Sequence, residues 1–433
     1  MKPQSVLREP ASGYRNFLIA LLILRICSYF MLSDSIMVVQ AMKAGLRAGL
    51  SLVMLAAVLY HLREHNKQTF RMHQPVSVWM YGVYLIFGMA SLLWTSSFDV
   101  SLLQLLMDIE GFAFSFLYIY LITIYRQRHP GGYFDLHKLL APAILFIGLG
   151  FLVGLFLDPD RFYRLTHGGA VSRLGGFIIN PNELGMLLVI GIACYLPLLV
   201  KEGRVRVSVI LSLLLLIQLL LLTGSRSAFI GLLAVVLVYG LTNGSRSQRT
   251  LIFLGGIALI PLAGWSFFVK QDQLTEIYTL TGRLPFWRDL LTYNFPREAW
   301  FGYGYMRIDY ADKFESLNAY AGAMTHNTFL QVLLGLGMTG LLLVLIQLST
   351  FLWTIKQVAD KKYRMVVGLI FIPLFVNSLT EFGIFGETNY GILFYLFLVF
   401  TAALEPQTGI ERKNASISNE TSEAIPYRSP AFT

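Results

Sequence analysis

Three short stretches hold most of the side chains able to do chemistry in this 433-residue chain. The first is "TGSRSA", 223–228, in which an arginine stands between two apolar runs. A cation at that depth is costly unless its head reaches water or an anion. Gly224 permits a tight turn, and Ser225 and Ser227 can cap the flanking helix, which leaves Arg226 pointing up from the hydrocarbon boundary. Taken alone, Arg226 could equally be a snorkelling anchor of a helix end.

The second stretch is "LTGRLPFWRDLL", 280–291. Phe286 and Trp287 suggest an amphipathic helix lying on a membrane surface, with Arg283 preceding it and Arg288 on its solvated side. The third is "GAMTHNTFLQVLLGLGMTG", 322–340, where His326 stands at the entry of an apolar run and Thr325 or Asn327 can cap the helix. Imidazole titrates near neutral pH, so His326 can take a proton from an attacking hydroxyl.

Two arginines and a histidine suit one reaction in particular. Guanidinium forks match a diphosphate with charge-assisted, often bidentate bonds. Arg226 and Arg283 can hold a lipid-linked diphosphate as it leaves, while His326 activates the acceptor. Developing negative charge is then stabilised without a metal. No His-rich cluster stands nearby, and neither metal nor cofactor is expected.

A fourth stretch, "SRLGGFIINPNELG", 172–185, adds Arg173, Asn180, Asn182 and Glu183. Pro181 and Gly185 are expected to loosen the helix there, as irregular backbone does where it lines a cavity. The substrate-binding set is therefore Arg173, Asn180, Asn182, Arg288 and Asn327. Glu381, in "NSLTEFGIFGETNYG", can pair with an outside arginine. Asp108 and Glu110 are inward polar residues without an evident partner, and Glu183, like Asn180 and Asn182, can bind sugar hydroxyls or Arg173.

The elements that must position these residues are membrane spans. The chain is 55% hydrophobic and only 14% charged, with mean hydropathy +0.61, and its apolar runs of about 20 residues are each long enough to cross a bilayer. An all-α polytopic membrane protein with about twelve transmembrane helices follows. They are expected near 16–33, 44–61, 76–95, 101–124, 139–157, 177–200, 206–223, 227–242, 251–268, 327–354, 365–381 and 389–404. The segment before the second span, 34–43, is expected to lie along the interface. A long outer segment, 269–326, separates spans nine and ten, and a loop of that length in a compact protein is usually functional. Residues 1–404 form the membrane domain, and the polar tail 405–433 is expected to be disordered.

Orientation follows from the basic residues. With the N-terminus inside, every inner segment carries at least two Lys or Arg, and the short outer loops 96–100 and 382–388 carry none. Both termini are therefore expected in the cytoplasm, and Arg173, Arg226, Arg283 and His326 on the opposite face. The formal net charge of +9 reflects these loops rather than a nucleic-acid partner. Cys27 and Cys194 both fall in apolar runs, which disfavours a disulfide and a cysteine metal site. No Walker loop or HExxH motif is present, which argues against an ATP-driven pump or a zinc protease.

The ordered set "NPNELG", "TGSRSA", "TGRLPFWR", "FGYGY" and "THNTFLQVLLGLGMTG", spread over about 172–340, resembles the O-antigen ligase and polymerase superfamily of bacterial membrane proteins. The resemblance implies a glycosyltransferase of the GT-C type in the inner membrane, with its active site facing the periplasm. It implies an undecaprenyl-diphosphate-linked glycan as donor, and lipid A-core or a second lipid-linked glycan as acceptor. It also implies metal-independent, inverting transfer. The family's two arginines and histidine fall on Arg226, Arg283 and His326, with Arg173 a further match. Ligation to lipid A-core stands slightly ahead of polymerisation, on compact length and the "THNT" stretch. A polysaccharide-related transporter is the alternative from another class, with a binding site near the midplane rather than at one face. A structural assembly protein is a third reading, which would leave the arginines scattered in bulk water.

Overall fold

The computed structural model describes residues 11–31, 33, 35–64, 72–129, 132–166, 171–201, 204–243, 250, 279–280, 282–305, 325–386 and 389–405. The fold is helical. In chain order the helices are α1 (Ala11–Cys27), α2 (Ile36–Glu64), α3 (Val76–Ala90), α4 (Phe98–Arg128), α5 (Leu136–Leu157), α6 (Pro181–Tyr195), α7 (Val207–Thr223), α8 (Arg226–Asn243), α9 (Arg283–Asp289), α10 (Thr328–Gln357), α11 (Lys361–Ser378) and α12 (Tyr390–Leu404). Two small antiparallel hairpins interrupt them. One pairs β1 (Tyr163–Thr166) with β2 (Val171–Leu174), and the other pairs β3 (Val200–Lys201) with β4 (Arg204–Val205).

Seven of the helical segments are long and apolar enough to cross a membrane, and α7 and α12 are shorter apolar helices. Their outward faces carry side chains that water would not favour, such as Leu93, Phe156 and Leu157, which are 78–89% exposed. A belt of this kind is a lipid contact, and the chain is a multi-pass membrane protein. The expected ninth span, 251–268, and most of the expected long loop lie outside the described residues. So do His167 and 406–433 of the expected tail.

At the centre is α12, every residue of which is buried. It is apolar on all sides because it is surrounded by protein on all sides. Nearly all of α6 is buried as well. Small residues let it and its neighbours pack closely: a Cβ at Gly191 of α6 would meet Ile144 Cγ2 of α5 at 2.8 Å, and one at Gly148 of α5 would meet Leu219 Cδ1 of α7 at 3.0 Å. Small residues let apolar helices approach closely where lipid removes the hydrophobic drive between them.

Several expectations need correction. Helix α2 starts at Ile36, so 36–43 continues a helix rather than lying separately along the interface. Pro181 does not break α6 but occupies its first turn, where a missing N–H costs nothing. Gly185 sits inside the same helix because a Cβ there would meet Ala228 Cβ at 2.7 Å and Ser225 Cβ at 2.9 Å. Helix α11 stops at Ser378, which leaves Glu381 beyond its end.

The acidic residues of α4 do have partners. Glu110 receives Arg25 as a bidentate fork, both bonds 2.7 Å, and Arg47 Nη2 at 2.9 Å. Ser51 Oγ also donates to it. The rings of Tyr29 and Phe114 lie 4.5–5.8 Å from the two guanidinium carbons. One carboxylate thus ties α1 and α2 to α4. Asp108 accepts from Tyr305 Oη at 2.5 Å and from Gln104 Nε2 at 3.2 Å, which fixes the "FGYGY" stretch against α4.

Helix α10 is broken. Gly337 has φ 66° and ψ −167°, a region essentially limited to glycine. The backbone groups around the break are taken up by residues 299–304. Tyr303 N donates to Leu334 O at 3.0 Å, Gly304 N to Gly335 O at 2.7 Å, and Met338 N to Ala299 O at 2.8 Å. Non-helical backbone at membrane depth is tolerated where protein satisfies it in this way. Beyond the break α10 runs beside α3, with Gln347 Nε2 bonded to Ser77 O at 3.2 Å. The half-helix before it, 328–336, crosses from the end of α11 to the end of α3.

Candidate active site

Helices α6, α8 and α10 all begin at one end of the bundle, and each start is capped by its own sequence. Asn180 Oδ1 accepts from Asn182 N at 2.9 Å, and Ser225 Oγ from Ala228 N at 3.3 Å. Asn327 Oδ1 accepts from Leu330 N at 2.9 Å. Gly224 closes α7 in the left-handed conformation, so the chain turns straight into α8. Three helix N-termini direct partial positive charge toward this end.

Glu381 is the hub. It is buried, and both its oxygens are engaged. Oε1 accepts from Arg283 Nη2 at 2.8 Å and Asn182 Nδ2 at 2.6 Å, and Oε2 lies 2.5 Å from His326 Nδ1. Burial raises the pKa of this carboxyl. The hydrogen bond and charge of His326, the charge of Arg283 and the bond from Asn182 more than offset that, and hold it below the usual carboxylate range. Arg283 Nη1 also donates to Thr380 O.

Arg283 opens α9, whose αL N-cap is Gly282. Phe286 anchors the helix in a small apolar cluster with Leu290, Leu330 and Leu334. Trp287 Nε1 donates to Thr325 O at 2.7 Å, which pins α9 to the residue before His326. His326 itself has φ 49°, a left-handed backbone uncommon for a non-glycine residue. Its ring stacks on Phe382, with centroids 6.1 Å apart, and 20% of its side chain stays exposed.

Arg173 reaches the same place from β2. Its Nη2 donates to Asn182 Oδ1 at 2.6 Å and its Nε to Thr223 O at 2.8 Å. Its pKa lies below the ordinary arginine value. Burial is the main cause, and the like charges of Arg226, Arg283 and Arg164 add to it against the pull of Glu381. Arg226 opens α8 within electrostatic range of Arg173. Arg164 stands opposite Arg173 across the hairpin. Four guanidinium groups therefore gather around the buried carboxylate of Glu381, with Glu183 beside them in the first turn of α6, and the excess of cations favours an anion.

Of the residues expected from sequence, Arg173, Asn182, Arg226, Arg283 and His326 come together. Asn180 is a helix cap with its side chain exposed. The Asn327 amide is occupied by its cap and by Leu379 O, 3.1 Å from Nδ2. Arg288 is exposed on the far side of α9 and makes no part of the Glu381 network. The hub role of Glu381 was not legible. A lone acid after an apolar run was the only signal, and its partners lie 55, 98 and 199 positions away.

The chain is similar to the teichuronic acid biosynthesis protein TuaE of Bacillus subtilis (strain 168), 23% identical over 361 residues, covering 74% of this chain and 70% of the relative. The model of the O-antigen ligase family matches residues 210–345, the stretch that supplies Arg226, Arg283 and His326. The resemblance read from the sequence is thus borne out, and residues 210–345 are similar to the O-antigen ligase domain.

Proposed function

We propose that this protein is an inner-membrane glycosyltransferase of the ligase type. It moves a glycan from undecaprenyl diphosphate to an acceptor hydroxyl at the periplasmic face. The observation that carries the reading is the single carboxylate of Glu381 holding both His326 and Arg283. With Nδ1–H committed to Glu381, the lone pair of His326 sits on Nε2. Nε2 takes the proton of the acceptor hydroxyl. The freed oxygen bonds to the anomeric carbon as its bond to the diphosphate oxygen breaks. Attack from the opposite side inverts that centre.

The leaving undecaprenyl diphosphate keeps the electron pair of the broken bond. Arg226 and Arg283 meet that charge with guanidinium forks, and Arg173 adds to the field. Glu381 stabilises the imidazolium that His326 becomes. Asn180 and Asn182 hold the start of α6 in place rather than reaching substrate.

Lipid A-core is the acceptor in the first reading. The name of the Bacillus relative concerns teichuronic acid rather than lipopolysaccharide, which favours a second reading, joining of lipid-linked repeat units. Purified protein in nanodiscs, given a lipid-linked donor with each acceptor in turn, separates them. Glycan on lipid A-core means ligation, and longer lipid-linked chains mean polymerisation. His326→Ala abolishes either product while the protein stays folded, and full activity in that variant would overturn the base assignment.

A further inference from the structure

A depression opens at the same end of the bundle, apart from the Glu381 network. It encloses ≈ 430 Å³ and is lined by Trp94, Ser96, Glu298, Phe301, Gly302 and Tyr303, a volume within the usual range for small-ligand sites.

Its walls are fixed by backbone bonds. Ser96 N donates to Tyr303 O at 2.9 Å, and the ladder between 299–304 and the break in α10 holds the other side. A Cβ on Gly302 would lie 2.4 Å from Gly335 O, so the segment is seated directly on the helix backbone. The rings of Trp94 and Phe301 meet at 62° with centroids 5.8 Å apart, and Trp94 Nε1 donates to Phe301 O at 3.3 Å. Among the described residues, no hydrogen bond or ion pair engages the Glu298 carboxylate.

Angled aromatic faces beside an acceptor-only carboxylate suit one ligand chemistry. A pyranose presents an apolar C–H face to a ring and a rim of hydroxyl donors to a carboxylate. Glu298 opposes a phosphate there, and the cation of Arg297, which also acts on Tyr303, is a chain neighbour rather than part of the lining. An acyl chain would strip water from the same carboxylate without replacing it. The position fits as well. The seven residues from Thr328 to Leu334 rise roughly 10 Å along the half-helix, a gap that a short saccharide bridges from His326.

We infer that this depression is a saccharide subsite, which holds sugars of the lipid-linked glycan beyond the one that reacts. The inference rests on the proposed transfer reaction for its role, but not for its ligand. Binding energy gained there on non-reacting sugars would help position the reacting one.

Glu298→Gln and Phe301→Ala test it, since both side chains are exposed and neither supports the core. The donors are lipid-linked oligosaccharide extracted from the host cells and the same material trimmed to one sugar. Losing a charged hydrogen-bond acceptor should reduce the preference for the long donor, as a ratio of kcat/KM values, about tenfold. An unchanged ratio overturns the subsite. If the wild-type protein transfers neither donor, the transfer reading fails and a binding measurement decides the subsite. Trp94 emission, isolated by difference from Trp94→Phe, should change on titration with oligosaccharide released from the lipid. Quenching of that emission by brominated acyl chains, with no response to sugar, would instead make Trp94 a membrane-interface anchor.

Discussion

At the scale of single residues, Glu381 sets the behaviour of the site. Glu381→Gln keeps the size but removes the charge that orients His326 and holds Arg283. By analogy with other acid–histidine pairs, transfer should fall by about 10²–10⁴-fold, measured as single-turnover rate in nanodiscs. A loss below about threefold would separate Glu381 from the reaction. The pH dependence has a definite sign. The carboxyl is held below its usual range in the folded protein, so its contribution to stability is complete above that range. It is lost only as pH falls through the lower, folded value. Melting temperature in detergent should therefore fall in strong acid, and Glu381→Gln should lack that limb. Arg226→Lys keeps the charge and loses the fork, and a large loss of activity is expected. Near-normal turnover would show that charge alone suffices. Arg226, Arg283 and His326 were legible in the sequence because each sits in a local turn or cap signal. Glu381 was legible only as a partner for an outside arginine, which Arg283 is, because what makes it the hub is contact across distant segments.

At the scale of elements, two devices hold the site end together. The break in α10 depends on Gly337, where a Cβ would lie 2.3 Å from the Trp300 carbonyl carbon. Gly337→Ala should cost at least about 1–3 kcal/mol from backbone strain alone, read as reduced folded yield or a lower Tm. Retention of the wild-type melt would mean that the break reseats elsewhere. The second device is the Glu110 anchor of α1 and α2. Glu110→Gln leaves two buried guanidinium groups short of their counter-charge, at a cost of about 3–5 kcal/mol. The double change Arg47→Met with Glu110→Gln should recover part of it. These features also show where sequence reading ran out. Eleven helices lie on expected spans, because apolar length is a local property. The break in α10 was hidden in an unbroken apolar run, since a glycine alone does not announce which backbone will come to meet it. The partners of Glu110 came from helices that no spacing rule connects, and Tyr305 reaches Asp108 from outside any helix, although Gln104 stands one helical turn away from it.

At the scale of the whole molecule, the positive-inside pattern makes a prediction about sidedness. After both native cysteines are replaced by alanine, a cysteine at Ser97 should react with an impermeant maleimide in intact cells. One at Lys361 should react only after lysis. The reverse pattern would put the Glu381 network on the cytoplasmic side and exclude periplasmic transfer. The site is also spread across the chain. Residues 210–345 match the family model, yet Arg173, Asn182 and Glu381 lie outside that stretch. A relative's 210–345 equivalent grafted into this protein would set a foreign histidine and foreign arginines against a resident carboxylate. The segment that defines the family by sequence is therefore not a transplantable module. Exchanges meant to alter glycan choice should carry everything from Arg173 to Gly386 as one piece.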